Sequence, residues 1–459
     1  MRDNKPPKGG LFVLGAAAAA LLLCSCAGPS ISVEKKLNSL IAAQNYSGAD
    51  SYLDGVKHTQ FGKKNAVLYY LDKGAVEHYG GWYAKSDRDL AAAEHRMEDL
   101  YTKSVTKMAG TLILNDNTMP FAGTPYDRVL EHILRSLNYS LRGDIDDALV
   151  ESRKVELFLD NLNADAGKSD IYKDDAFARY LDALYYSDEG MNDDARISMD
   201  AAKKAYGWYA GDYNTPMPQF PPLGQDQITP DTGELVFIHY NGVAPRKISK
   251  TVQVAWGDAL VALKKDRQEE DRDPRVGNAL RAGLLGNAIT VAYPEYVQDH
   301  FSIVSSDVLV DSRPAVDTQL AEDVSAIAFK SLKDNMPLIM TRAIARATVK
   351  FILAKTASDA AADYCDKKFG TGNLQDLSCR MLSRGAAFGL AAGTEAADTR
   401  CWTTLPSQIR IAREELPAGA HDVTVQFRDA AGGVVMSHVF KDVVIKPGKR
   451  TYLAFRTAL

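Results

Sequence analysis

Cysteine is scarce in this sequence and badly spaced for a metal or redox centre. Two of the five lie at positions 24 and 26, and only Cys365, Cys379 and Cys401 follow, with no Cys-x-x-Cys among them. The usual zinc and dithiol motifs are therefore missing. The eight histidines are scattered, with no pair at ligand spacing on one helix and no His-Glu-x-x-His. Walker, Gly-x-Gly-x-x-Gly and Gly-x-Ser-x-Gly patterns are also missing. Ser32-x-x-Lys35 and Ser104-x-x-Lys107 have no Lys-Thr-Gly to accompany them, so neither marks a serine acyl-enzyme. No cofactor, metal or catalytic residue is expected. Positive charge is not in excess: the formal net charge is -5, which disfavours a nucleic-acid partner. Beyond residues 11–23 no run is apolar enough to span a membrane.

What is present begins at the start of the chain. Arg2, Lys5 and Lys8 precede the apolar residues 11–23, and small residues lead to Cys26, which is the plan of a secretory signal peptide. The run is shorter than the ~20 residues of a spanning helix, which argues against an uncleaved anchor. Leu23-Cys24-Ser25-Cys26 resembles the bacterial lipobox. That resemblance implies cleavage after residue 25, lipidation of Cys26 and, with Ala27 in place of Asp, sorting to the outer membrane. The membrane partner would be reached through the lipid on Cys26. Residues 26–32 would be a tether.

Residues 33–210 show apolar spacings of three and four, read as short antiparallel helices. Breaks are expected at Gly48, Gly55, Gly62 and Gly80-Gly81, and a longer helix with Ser86 as N-cap should run toward Leu114. Two segments share a plan, with Gly143 and Gly190 at turns and Ala148 and Ala195 five residues later. This resembles the tetratricopeptide unit. Such arrays line a groove, the expected contact with envelope proteins. Met119-Pro120-Phe121 would fill that groove or plug the core.

Five prolines in 211–233 mark a linker or lid. Residues 234–400 read as a mixed α/β region: a buried strand at 235–238, a turn at 241–247 carrying Arg246 and Lys247, a strand near 288–292, then helix from Glu322. Arg342, Arg346 and Lys350 recur every fourth residue on an otherwise apolar helix. They must meet carboxylates such as Asp398, or an anionic partner, because unpaired buried charge is costly. Residues 401–459 alternate as four or five antiparallel strands, similar to small β-sandwich modules of envelope proteins. Cys365 and Cys379 form the most local of the three cysteine pairings; three free thiols are the alternative.

Leu71-Asp72-Lys73-Gly74, Leu137-Asn138-Tyr139 with Gly143, residues 241–247 and residues 398–406 together resemble a family of bacterial envelope lipoproteins with tetratricopeptide-like helical repeats. The resemblance implies location and architecture and carries no activity. The expected fold is α+β: an N-terminal helical repeat array, a mixed α/β region and a C-terminal antiparallel β-sandwich-like module. The expected role is a non-catalytic, outer-membrane-anchored protein-binding scaffold facing the periplasm, with Arg246, Arg342, Arg346, Lys350 and Arg400 as candidate anion or partner contacts. Two alternatives are an envelope-acting enzyme, for which Asp398, Arg400, Arg342 and Arg346 would have to meet, and a subunit of a secretion or surface apparatus.

Overall fold

The computed structural model describes residues 28–104, 119–165, 172–219, 223, 231–255, 288–393 and 395–459. The expected leader, Cys26 and part of the proline-rich segment lie outside them. Helices come first and strands dominate the end, in a mixed helix and sheet fold.

Among the described residues eight helices come first: α1 Ile31–Ala42, α2 Tyr46–Val56, α3 Ala66–Tyr79, α4 Tyr83–Ser104, α5 Pro125–Arg142, α6 Ile145–Asp165, α7 Ala176–Asp188 and α8 Asn192–Asp212. A π-helical turn, Lys57–Phe61, joins α2 to α3. Each helix packs on the next in sequence. Four of the turns are built alike. Gln44, Gly81, Gly143 and Gly190 each take a positive φ, of 55°, 76°, 86° and 72°. The following N–H then reaches back across the helix end: Asn45 to Leu40, Trp82 to Glu77, Asp144 to Tyr139 and Met191 to Tyr186, at 2.8–3.0 Å. That bond satisfies a carbonyl the helix would leave orphaned. Five residues after each turn stands a small buried side chain, Ala49, Ser86, Ala148 or Ala195, where the two helices close.

Ser86 is therefore not an N-cap. It lies inside α4 and donates its hydroxyl to the Gly74 carbonyl at 2.7 Å, tying α4 to α3. Gly48 and Gly55 likewise fall within α2. Gly74 matters for packing: a Cβ there would lie 2.5 Å from Leu90 Cγ on the facing helix. Gly74→Val is expected to lower stability by about 1–3 kcal/mol, measured by urea unfolding. Phe121 plugs the core, and its N–H donates to the Lys64 carbonyl at 2.8 Å.

The strands are β1 Thr232–Asn241, β2 Arg246–Ala255, β3 Ala288–Val297, β4 Ser305–Val310, β5 Arg313–Asp317, β6 Gln319–Asp323, β7 Gln408–Pro417, β8 Gly419–Arg428, β9 Val434–Ile445 and β10 Arg450–Thr457. One sheet has the order β10-β1-β7-β6 and another β5-β4-β8-β9, while β2 and β3 pair as a ribbon. The last sixty residues are thus not an independent antiparallel module. Strands from both sides of residue 400 share both sheets, and β10 runs parallel to β1. The reason is in β1, whose Leu235-Val236-Phe237-Ile238 run is buried on both faces and must be flanked on both edges. Side chains alternate along it. Leu235 and Phe237 join Val308, Val423, Val425 and Phe427 of the second sheet, whereas Val236, Ile238 and Tyr240 join the helical core. Sheet one is the middle layer.

Two further helices, α9 Val324–Phe369 and α10 Leu374–Gly393, form a long hairpin between β6 and β7. A disulfide joins Cys365 to Cys379 near its tip, with Cα atoms 5.9 Å apart, and Cys401 is a buried free thiol. The ribbon lies on α9, where Ile289 and Val291 meet Ala343, Ile344 and Ala347.

Candidate functional site

The four stretches that carried the family resemblance converge where α3, α4 and α5 meet sheet one. Asp72 of α3 accepts from the Thr404 hydroxyl at 2.9 Å, and Thr404 in turn accepts from Trp402 Nε1 at 2.9 Å. The Ala244 N–H donates to the Leu405 carbonyl at 3.0 Å. The Lys247 ammonium donates to the Arg400 carbonyl at 3.3 Å, and its N–H points at Cys401 Sγ at 3.4 Å.

A relay of hydrogen bonds runs through the same place. His78 lies between Asn138 Oδ1 of α5, 2.8 Å from Nδ1, and the Tyr240 hydroxyl of β1, 2.7 Å from Nε2. Asn138 Nδ2 then donates to Ser86 Oγ at 2.9 Å. Three helices and a strand are pinned by these side chains. Burial pulls His78 down to about 4, so it is neutral, with each ring nitrogen occupied. Burial likewise pushes the Asp72 carboxyl up to about 8 and the Cys401 thiol to about 12. At neutral pH the junction holds a protonated acid, a thiol and a neutral imidazole. A crevice beside it, lined by Gly28, Val33, Glu34, Leu37, Asp72 and Thr403, holds about 10 Å³, room for roughly one water molecule.

The candidate cations do not meet in one cleft. Arg400 sits in this junction: its guanidinium forks onto Asp398 at 2.8 and 2.6 Å, and also donates to Asn65 Oδ1 at 3.2 Å and the Met119 carbonyl at 2.8 Å. Arg346 and Lys350 share a different acid, Glu395, at 3.5 and 2.6 Å. Glu395, not Asp398, answers the basic stripe, because the chain leaving α10 passes over α9 there. Arg342 is exposed, and Arg246 pairs with Asp299 at 3.3 Å on the ribbon. Sequence spacing placed Arg342, Arg346 and Lys350 on one helix face but carried no information about which acid the later chain delivers.

A second charged cluster was not read from the sequence. His132 of α5 lies between Glu131 and Glu151, 3.3 and 3.1 Å from Nδ1, with Glu94 3.8 Å from Nε2. Among the described residues, Glu94, His132 and Glu151 form a grouping tight enough to hold a metal ion. Cations already stand against these carboxylates: Arg135 touches Glu94 and lies 2.9 Å from Glu151, and Lys154 is 3.2 and 3.1 Å from the same two acids. Burial opposes a charge on His132, but Glu131 and the hydrogen bond to Glu151 outweigh it and raise its pKa. The cluster reads as an ion-pair knot across α4, α5 and α6. Its residues lie on three helices at unrelated spacings, so only the packing brings them together.

Compared with protein families, with curated proteins and with solved structures, the chain matches none.

Proposed function

We propose that this chain is a non-catalytic, lipid-anchored scaffold of the bacterial outer membrane, facing the periplasm, whose helical array binds a segment of an envelope protein. The observation that carries the reading is the fourfold recurrence of one turn: a positive-φ residue, a six-to-one hydrogen bond and a small buried residue five positions on. Units built alike and stacked in sequence are the construction of tetratricopeptide-like repeats, which present a continuous surface for an extended partner. The leader and Cys26 supply the anchor, and acyl chains on one cysteine hold a protein durably at a bilayer. A disulfide between Cys365 and Cys379 suits an oxidising compartment.

Cys26→Ala is expected to move the protein out of the outer-membrane fraction of the native cell. Crosslinking in intact cells should capture a defined set of envelope proteins with the anchored form and lose them with the variant. Capture of abundant bystanders alone would sink the scaffold reading, whatever the fractionation gives.

A further inference from the structure

One face of α10 has no covering in the described structure. Its inner side holds Asp376, which is buried, and Cys379, which is bridged to α9. At 100° per residue the opposite arc carries Leu374, Leu377, Met381 and Leu382, which are 79, 54, 68 and 75% exposed. Gly385 and Gly389 continue that arc, and a Cβ at either would meet nothing within 4 Å. The four apolar side chains span ~12 Å of the helix and the two glycines carry the arc to ~22 Å, a contiguous patch of large apolar residues each more than half exposed.

Its surroundings identify what covers it. Lys367 and Lys368 are exposed at the hairpin tip, with the Lys368 ammonium over the Tyr364 and Phe369 rings at 5.7 and 5.1 Å. Arg384 flanks the stripe, its guanidinium 5.9 Å from the Phe388 ring. Of the acids nearby, Asp359 pairs with Lys355, and Asp366 and Asp376 both pair with Arg380. Asp363 is the one other acid between residues 359 and 388, where Lys367, Lys368 and Arg384 are also exposed. Apolar residues rimmed by aromatics and cations suit the interface of an anionic bilayer.

The path of the chain adds a second argument. Gly28 packs on the aliphatic part of Arg400, where a Cβ would lie 2.6 Å from Cγ. Cys26 is two residues away, at most ~7 Å by chain reach. Arg400 stands five residues beyond Glu395, which is held to Arg346 and Lys350 at the return end of α10. Summed along the chain, Cys26 is therefore within ~40 Å of the Gly393 end of α10. No helix among the described residues is long and apolar enough to cross a membrane, so contact is along the surface.

We propose that the outward face of α10 lies on an anionic phospholipid surface, holding the hairpin flat against the bilayer to which Cys26 is acylated. The placement of that bilayer rests on the lipoprotein reading, but the affinity of the face does not. The test uses unlipidated residues 27–459, which contain all of the described fold, with vesicles of phosphatidylethanolamine and phosphatidylglycerol. The chain should float with the vesicles, and the double variant Leu377→Asp, Leu382→Asp should reduce partitioning at least about tenfold while leaving the melting temperature unchanged. Failure of the parent chain to float overturns the proposal. A solution dimer abolished by the double variant assigns the face to a second copy, and a marked fall in melting temperature assigns it to the chain itself; either also overturns it. Fractionation of the Cys26→Ala protein tests the anchor separately, so the two failures are distinguishable.

Discussion

Arg450→Met is expected to lower the stability of the protein by about 3–5 kcal/mol in urea unfolding. Arg450, on β10, fastens the helical array to the middle sheet. Its Nε is 2.5 Å from Glu234 of β1, and its Nη1 is 2.6 Å from Asp188 of α7. Glu234 also receives Arg413 of β7 at 2.6 Å, and Arg413 donates to the Tyr180 hydroxyl of α7 at 2.9 Å. Tyr452 completes the knot by donating to Asp188 at 2.7 Å. Two cations and two carboxylates thus balance in a site where every charged side chain is at most 6% exposed. Desolvating such ions is costly, and only the mutual pairing offsets it. Methionine keeps the apolar volume of the arginine stem but leaves Asp188 and Glu234 with one guanidinium between them, and a buried unpaired charge is the expensive outcome. Arg450→Lys should recover little of the loss, because one ammonium cannot fork between two acids on different elements. A loss below about 1 kcal/mol would mean that the junction is wet and that the pair behaves as a surface salt bridge.

That junction also marks how far the sequence could be read. Helices were legible from residue 33 because their apolar spacing is local, and β1 from four consecutive apolar residues. Two of the four matching turns were visible through Gly143 with Ala148 and Gly190 with Ala195. The other two were hidden because Gln44 takes the left-handed turn position in place of glycine, and Ser86 takes the small-residue position in place of alanine. A search for glycine misses a site defined by φ, and a search for alanine misses one defined by size. Sheet order was not legible, since the partners of β1 are about 170 to 220 residues away and pairing over such distances leaves no local periodicity. For the same reason the sequence brought Arg342, Arg346 and Lys350 together correctly on one helix but matched them to the wrong acid. Long-range convergence was not legible: Asp72, Asn138, Lys247 and Thr404 lie in four separate stretches of the sequence and meet only at the helix–sheet junction.

Glu322→Gln is expected to flatten part of the pH dependence of stability and to make the protein more stable at alkaline pH. Glu322, on β6, is fully buried against α7 and α8, beside Asp175 and under Tyr172, Tyr206, Tyr209 and Tyr213. Asp175 is committed as an acceptor, taking the Ala178 N–H at 2.7 Å as the N-cap of α7 and the Tyr172 hydroxyl at 2.5 Å. Burial, followed by the charge of Asp175 and then of Asp323, holds the Glu322 carboxyl well above its ordinary value of 4.5. The folded protein therefore keeps a proton on Glu322 at pH values where the unfolded chain has released it. Stability from this group is fully present below the unfolded pKa and is lost as pH rises toward the folded one, at about 1.4 kcal/mol per pH unit. Glutamine mimics the protonated acid and has no proton to lose. Asp72, raised to about 8, and Asp182, raised to about 7, push in the same direction, while His78 and His239, pulled down by burial, oppose it below their ordinary value of 6.5. Those groups are common to both proteins and cancel in the difference. The advantage of the variant over the parent, from urea unfolding at a series of pH values between about 6 and 8, should therefore grow by up to about 1.4 kcal/mol per unit. A difference that stays constant across that range would show that replacing Glu322 removes no proton from the folded protein, and would overturn the expectation.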